Sequence, residues 1–221
     1  MIKAFIFDFD GLILDTETPD YLTWQSIYKE HGFELPQKEW GTIIGGSALS
    51  HFDAAEHLSR LSQGRLDPAP LRARQQLESD ALIHASAIMP GVLDYINEAK
   101  RLGFKLAIAS SSTHAWVDPH AKRLGIFDRF DAVICADDVG VGRTKPNPDL
   151  FLSALSQLGV GKEAAIVFED SPNGVTAANR AGIYVVAVLN PVTSLLAIEG
   201  ANLILRSLSD MPVGDLLHAL Q

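Results

Sequence analysis

The sequence predicts an α/β fold: a parallel sheet covered by helices on both faces, with an all-helical segment inserted after the first strand. Three observations carry this. From Pro90 onward strand-like and helix-like segments alternate, the pattern of a parallel sheet with crossover helices. The chain opens on a nearly continuous apolar run from Ile2 to Phe7, as in a central strand buried on both faces. Between about Asp15 and Ala87 only helical signals occur.

In chain order, Ile2, Ala4, Phe5, Ile6 and Phe7 form the first strand, and Asp8 falls at its carboxyl end. Asp8 and Asp10 stand two residues apart and so leave an extended chain on the same side, while Gly11 lets the backbone turn sharply and approach a ligand. Unpaired charge buried at such a tip is costly, which points to chemistry rather than structure. Tyr21, Trp24 and Tyr28 then recur at helical spacing after Pro19 and stop at Gly32; Phe52, Ala55, Leu58 and Leu61 form a second stripe, stopped at Gly64. These stripes are read as the core of a helical insert. The domain reading is therefore a core of residues 1–14 and 88–221 and an insert of residues 15–87, joined near Asp15 to Pro19 and Ala85 to Pro90.

The remaining elements follow as VLDYINEAKRLG, KLAIAS, a helix through Trp116, His120 and Leu124, AVICA, DLFLSALSQLG, AAIVFED, GVTAANRAG and YVVAVL. Gly103, Gly125, Gly159 and Gly182 each follow a helical pattern where a left-handed cap is expected. Cys135, in the apolar run AVIC, reads as a core residue rather than a nucleophile.

Composition narrows the function classes. A chain of 221 residues with a 47% hydrophobic fraction can build a sizeable core. With 18 Lys and Arg against 27 Asp and Glu, a net charge of -9 argues against a broad nucleic-acid or anionic-membrane surface. An anionic substrate must therefore meet locally concentrated positive charge, from a lysine or a metal. A lone cysteine cannot form an intrachain disulfide and fits a reducing compartment. No apolar stretch approaches the roughly 18 residues that span a bilayer. Asp8 and Asp10 also interrupt the opening apolar run before any cleavage site, so the expected location is cytoplasmic.

Three further segments end at strand tips. KLAIASSSTH finishes in Ser110, Ser111 and Ser112 just before a helix, where hydroxyls and free backbone N–H groups bind phosphate, although a serine there also serves as a simple cap. In GRTKPNPDLF, Lys145 is held by the Pro146 to Pro148 turn, placing an ammonium where it can offset a phosphoryl oxygen or Asp8. AAIVFEDSPNG ends in Glu169 and Asp170, adjacent acids that repel one another unless a cation lies between them and Asp8. Carboxylate oxygens without a cysteine or histidine cluster favour Mg²⁺ over zinc. Ligands of open α/β sheets bind beyond the carboxyl ends of the strands, and all four segments end at that edge.

DFDGLILDT, ASSS, Lys145 in TKPNPD, and FEDSPNG, in that order, resemble the four signature motifs of the haloacid dehalogenase superfamily. The insert resembles the helical cap of its beta-phosphoglucomutase-like subfamily. The resemblance spans essentially the whole chain and implies a Rossmann-like, doubly wound core with a helical cap. It further implies Asp8 as a nucleophile forming an aspartyl-phosphate, Asp10 as general acid and base, and Ser110, Ser111, Gly11 and Lys145 as substrate-binding residues. Asp8, the Asp10 backbone carbonyl, Asp170 and, directly or through water, Glu169 are implied as the Mg²⁺ site.

The superfamily's dehalogenases lack the second aspartate and need no metal, so the presence of Asp10 and of the Glu169–Asp170 pair favours phosphoryl transfer. A non-catalytic phosphate-binding module is expected only if Asp8 or Asp10 is missing. The mutases of the subfamily carry a cap arginine in a Gly-x-Ser-Arg loop. The matching stretch here, Gly45, Gly46, Ser47 and Ala48, lacks it, and Asp20 replaces a histidine of the first cap helix. These departures favour hydrolysis of a small phosphate monoester over a mutase reaction. Arg72 or Arg74 could compensate for the missing arginine, and His114 is a further candidate for substrate contact. Asp20, Trp24 and Gly45 to Leu49 are expected to select the leaving group, the protein acting as a monomer or small homo-oligomer.

Overall fold

The computed structural model describes residues 1–43 and 52–220. Six strands, β1 (Ala4–Phe7), β2 (Lys105–Ala109), β3 (Ala132–Ile134), β4 (Ala165–Glu169), β5 (Tyr184–Val188) and β6 (Leu203–Leu205), form one sheet in the order β3-β2-β1-β4-β5-β6. Every pairing is parallel. This is the α/β architecture expected, with β1 at its centre. The first strand is two residues shorter than the apolar run, although Lys3 already bonds the Ala164 carbonyl and the Lys105 amide just before it. β6 and the final helix were not anticipated from the sequence; a three-residue strand leaves too short a pattern to read.

Helices α1 (Glu17–Glu30), α2 (Gln37–Trp40), α3 (Ala54–Leu61) and α4 (Pro68–Ala85) follow β1. Tyr21, Trp24, Ile27 and Tyr28 of α1 bury against Leu35, Trp40, Ala55, Leu58 and Leu71, so the aromatic stripe is indeed a core and not a cofactor site. Leu61, at the end of the second stripe, is exposed instead. Leu14 bridges Ile88, so the chain leaves the sheet after β1 and returns to it after α4 side by side.

Around the sheet lie α5 (Val92–Arg101), α6 (His114–Arg123), α7 (Ala136–Val139), α8 (Asp149–Leu158), α9 (Pro172–Ala181) and α10 (Val213–Ala219). Alternation along each strand divides the interior in two. Phe5, Phe7, Ile108 and Phe168 point to one face, beneath Tyr95, Ile96, Val117 and Leu216. Ala4, Ile6, Ala107 and Val167 point to the other, beneath Leu150, Phe151 and Val175. Phe168 is fully buried, its ring 5.0 Å from Phe5, 4.9 Å from Phe7 and 5.2 Å from Tyr95. Phe168→Ala is therefore expected to cost about 3–5 kcal/mol in urea unfolding, the range for removing a closely packed core aromatic.

The register brings the chemistry together. Phe7 is level with Ile108 on one side and Phe168 on the other, so Asp8, Ser110 and Glu169 emerge at one edge. The Asp8 amide extends the ladder by one bond, to the Phe168 carbonyl at 2.9 Å. Cys135 is buried beyond β3, and burial together with Asp118, Asp138 and Asp137 pushes its thiol up to about 12. That makes it a core thiol, not a nucleophile. No helix among the described residues is long and apolar enough to cross a membrane.

Candidate active site

Asp8, Glu169 and Asp170 are all buried, and one carboxylate oxygen from each lies within 4.8 Å of the others. Buried carboxylates require partners. Lys145 supplies one: its ammonium, buried as completely, donates to Asp8 Oδ1 and to Glu169 Oε1, each at 2.5 Å, and stands 5.2 Å from the Phe151 ring. Burial alone favours the neutral amine, but the charges of Asp8 and Glu169 outweigh it and raise Lys145, which stays an ammonium. The aspartate has the opposite balance. Burial, then the Glu169 and Asp10 charges, lift Asp8 to about 8 against the lowering by Lys145. Burial and the charges of Glu169, Asp8 and Glu17 raise Asp170 as well.

Glu169 uses its second oxygen on its own loop. Oε2 accepts from the Asp170 and Ser171 amides, both at 2.9 Å, and from the Ser171 hydroxyl at 3.0 Å. Gly174, in the first turn of α9, makes this possible, since a Cβ there would lie 1.8 Å from Glu169 Cδ. Asp170 is held from the far side: Asn190 Nδ2 donates to its Oδ2 at 2.7 Å and to the Gly11 carbonyl at 3.2 Å. Gly11 adopts φ +78, and a Cβ there would sit 2.1 Å from Asp170 Oδ2. Glycine at this turn thus makes room for Asp170, a reason the sequence did not suggest.

Asp10 points toward α6. Its Oδ1 accepts from Trp116 Nε1 at 2.8 Å, and its Oδ2 from the Ser112 hydroxyl at 2.7 Å and the Ser110 hydroxyl at 3.1 Å. Ser110 Oγ also accepts from the Ser112 amide, closing the turn before α6. Beside it the Ser111 hydroxyl is buried without a partner among the described residues. Glu17, in the first turn of α1, faces the same acids; burial and the charges of Asp10, Asp20 and Asp8 push it up to about 8.

The other sequence candidates are engaged elsewhere. Asp20 accepts from Gln75 Nε2 at 3.0 Å and from the Ser79 hydroxyl, tying α1 to α4, and Trp24 is buried in the same helical layer. Arg72 pairs with Asp53 and Glu56, and Arg74 with Glu30 and Glu78, all partly exposed. His114 places one ring nitrogen 3.0 Å from Asp118 and the other 2.9 Å from Asp138, and these bonds raise its pKa toward an imidazolium held by two carboxylates. Gly45 to Leu49 lie outside the described residues.

Sequence reasoning missed Trp116, Ser112 as a partner of Asp10, Asn190 and Glu17. The rule of strand ends, applied to β5, reaches Asn190 two residues past Val188. Trp116 stands one helical turn past Ser112, and that spacing alone carried no polar signal.

The donor set is suited to a hard cation. Three buried carboxyl groups share a single ammonium, which pairs with Asp8 and Glu169 but not Asp170, and oxygen donors without sulfur or imidazole suit Mg²⁺.

Residues 2–182 match the haloacid dehalogenase-like hydrolase family. The chain is 43% identical over 220 residues to YhcW of Bacillus subtilis (strain 168), described by its name as a phosphatase, covering 100% of this chain and 98% of that protein. It is 31% identical over 183 residues to the fructose-1-phosphate phosphatase YqaB of Escherichia coli (strain K12), covering 83% and 94%. The crystal structure of a beta-phosphoglucomutase from Clostridium difficile superposes with a TM-score of 0.70 at 26% identity, covering 99% of this chain and 96% of that one.

Proposed function

The chain belongs to the haloacid dehalogenase-like hydrolase family, and from that premise we propose that it is a Mg²⁺-dependent phosphatase of small phosphorylated metabolites, sugar phosphates above all. The observation that carries this reading is the buried group of Asp8, Glu169 and Asp170 around a single lysine. Once ionised these carboxylates outnumber the one ammonium and favour a divalent ion, and the first of them stands at the carboxyl end of β1.

In this reading Asp8 and Asp170, with the backbone carbonyl of Asp10, would hold the ion, and Glu169, whose oxygens already accept from Lys145 and the loop amides, would support that site. Bound Mg²⁺ supplies positive charge that keeps Asp8 ionised and offsets the phosphoryl oxygens. Lys145 adds a second positive charge on the same side, and the unpartnered Ser111 hydroxyl with the amides before α6 offers hydrogen bonds to phosphate.

Asp8 attacks phosphorus, the bond from phosphorus to the leaving oxygen breaks, and that oxygen takes the proton of Asp10. The alcohol departs and the phosphoryl group remains on Asp8. Water then gives a proton to Asp10 and attacks phosphorus; the bond to Asp8 breaks, releasing inorganic phosphate and the original carboxylate. Covalent capture divides one difficult displacement into two easier ones.

The mutase reading is favoured by likeness to beta-phosphoglucomutases and opposed by the cap. Arg72 and Arg74 are spent on acidic neighbours, and residues 44–51 contain no arginine or lysine. The buried lone cysteine supports a reducing, cytoplasmic setting. Phosphate release from p-nitrophenyl phosphate and a panel of sugar phosphates, with and without Mg²⁺, tests the proposal. Hydrolysis that needs Mg²⁺ is expected; conversion of beta-glucose 1-phosphate to glucose 6-phosphate with a bisphosphate primer would instead establish a mutase.

A second prediction follows from the acids. Asp8 and Asp170 are raised, so the folded chain holds protons that the unfolded chain releases, and metal-free stability falls as pH rises from about 4 toward 8. Mg²⁺ needs those carboxylates ionised and so stabilises most where protons have left. The rise in Tm on adding roughly millimolar Mg²⁺ is expected to be larger near about pH 8.5 than near about pH 6, by a few degrees.

A further inference from the structure

An acid that gives and retakes a proton must present the correct oxygen at the correct place, and small misplacements are costly. Asp10 is held from both oxygens, by partners of different kinds. Trp116 Nε1 donates to Oδ1 at 2.8 Å, and an indole N–H can only donate. Ser112 and Ser110 donate to Oδ2 at 2.7 and 3.1 Å, and a hydroxyl can rotate to accept instead. Toward Trp116 the carboxyl group must always offer a lone pair; toward the serines it can offer either a lone pair or a proton.

The indole is itself fixed. Its ring lies 4.4 Å from that of the buried His120, whose other neighbour is His84 at 4.9 Å. Arg123 Nη2 donates to His120 Nδ1 at 3.5 Å and to the Ile83 carbonyl at 3.3 Å, while its Nη1 reaches the Ser86 carbonyl at 3.0 Å. Trp116 thus packs on His120, which His84 and Arg123 in turn tie to the end of α4.

Resting on the phosphatase reading above, we infer that Trp116 is a positioning residue for Asp10: it keeps Oδ1 as the permanent acceptor and leaves Oδ2, on the serine side, as the oxygen that exchanges the proton. When phosphate engages Ser110, Trp116 and Ser112 still hold the carboxyl group. Loss of the indole N–H lets it rotate away from the leaving oxygen.

Trp116→Phe keeps an aromatic ring against His120 and removes the donor. Two esters of similar shape separate the outcomes: benzyl phosphate, whose alkoxide must be protonated to leave, and p-nitrophenyl phosphate, whose phenolate leaves without help. kcat/KM for benzyl phosphate is expected to fall about 10- to 100-fold, and that for p-nitrophenyl phosphate to change less than about threefold. Replacement of Trp116 by benzothienylalanine, which puts sulfur in place of N–H without changing the ring's shape, is expected to give the same split and serves if the Phe variant folds poorly. Equal losses on both esters, or no loss on either, with an active wild type would overturn the inference. A wild type inactive on both esters in Mg²⁺ would overturn the phosphatase reading and this inference together.

Discussion

Asp8→Asn is expected to abolish phosphate release, by at least about 10⁴-fold in kcat, the scale of removing a covalent nucleophile. The substitution leaves the shape of the β1 tip unchanged and replaces an attacking carboxylate with an amide. It also separates chemistry from folding. Asp8 is raised to about 8 by burial and by its acidic neighbours, so its ionised form is a burden on the metal-free fold. Removing it relieves repulsion with Glu169 and Asp10, although Lys145 keeps only Glu169 as an ion-pair partner. The variant is expected to unfold in metal-free buffer at a temperature close to that of the wild type, and to lose most of the Mg²⁺-induced rise in Tm. A variant that kept full Mg²⁺ stabilisation with no activity would leave Asp8 as nucleophile but remove it from the ion site. One that hydrolysed p-nitrophenyl phosphate at the wild-type rate would end the aspartyl-phosphate mechanism.

The strand tips were legible because charge at the end of an apolar strand contradicts local burial, and such a contradiction is visible without coordinates. Asp8, Glu169 and Asp170 lie together at the ends of β1 and β4, whereas Lys145, read from the sequence as standing near a strand end, reaches them from the loop between α7 and α8. What stayed hidden depended on direction rather than composition. Trp116 reads as one more apolar residue on a helix, and only the approach of α6 to β1 turns its N–H toward Asp10. Asn190 follows YVVAVL as a neutral tip, with nothing in the sequence to say that it braces Asp170. Gly174 was read as part of a motif, whereas its cause is the Glu169 carboxylate lying where a Cβ would be. The helical insert was legible from its aromatic period. That Asp20 would be spent on Gln75 and Ser79 was not, because a tertiary partner 55 residues away leaves no local trace.

Lys145 is where stability and chemistry depend on one atom. Its ammonium is buried and serves two buried carboxyl groups at 2.5 Å each, so removing it leaves both Asp8 Oδ1 and Glu169 Oε1 without their buried cationic partner rather than deleting one contact. Breaking a buried pair from one side costs about 3–5 kcal/mol, well above the value of an exposed ion pair. Lys145→Ala adds a cavity to that cost; Lys145→Met keeps the volume and isolates the charge. Both variants are expected to be destabilised by about that amount in denaturant titrations at neutral pH, with the Met variant retaining most of the loss. The pH dependence fixes the cause. Without the ammonium, which lowers Asp8 against its burial, the folded state holds the Asp8 proton to higher pH, so the destabilisation should grow as pH rises from about 7 to about 9 and shrink below that. A cavity alone gives the same loss at both ends of that window. Mg²⁺ is expected to recover part of the stability but little of the activity, which should remain about 10²- to 10³-fold down because the second positive charge on the phosphoryl oxygens is gone. A Met variant with wild-type kcat would show instead that the metal alone carries that charge.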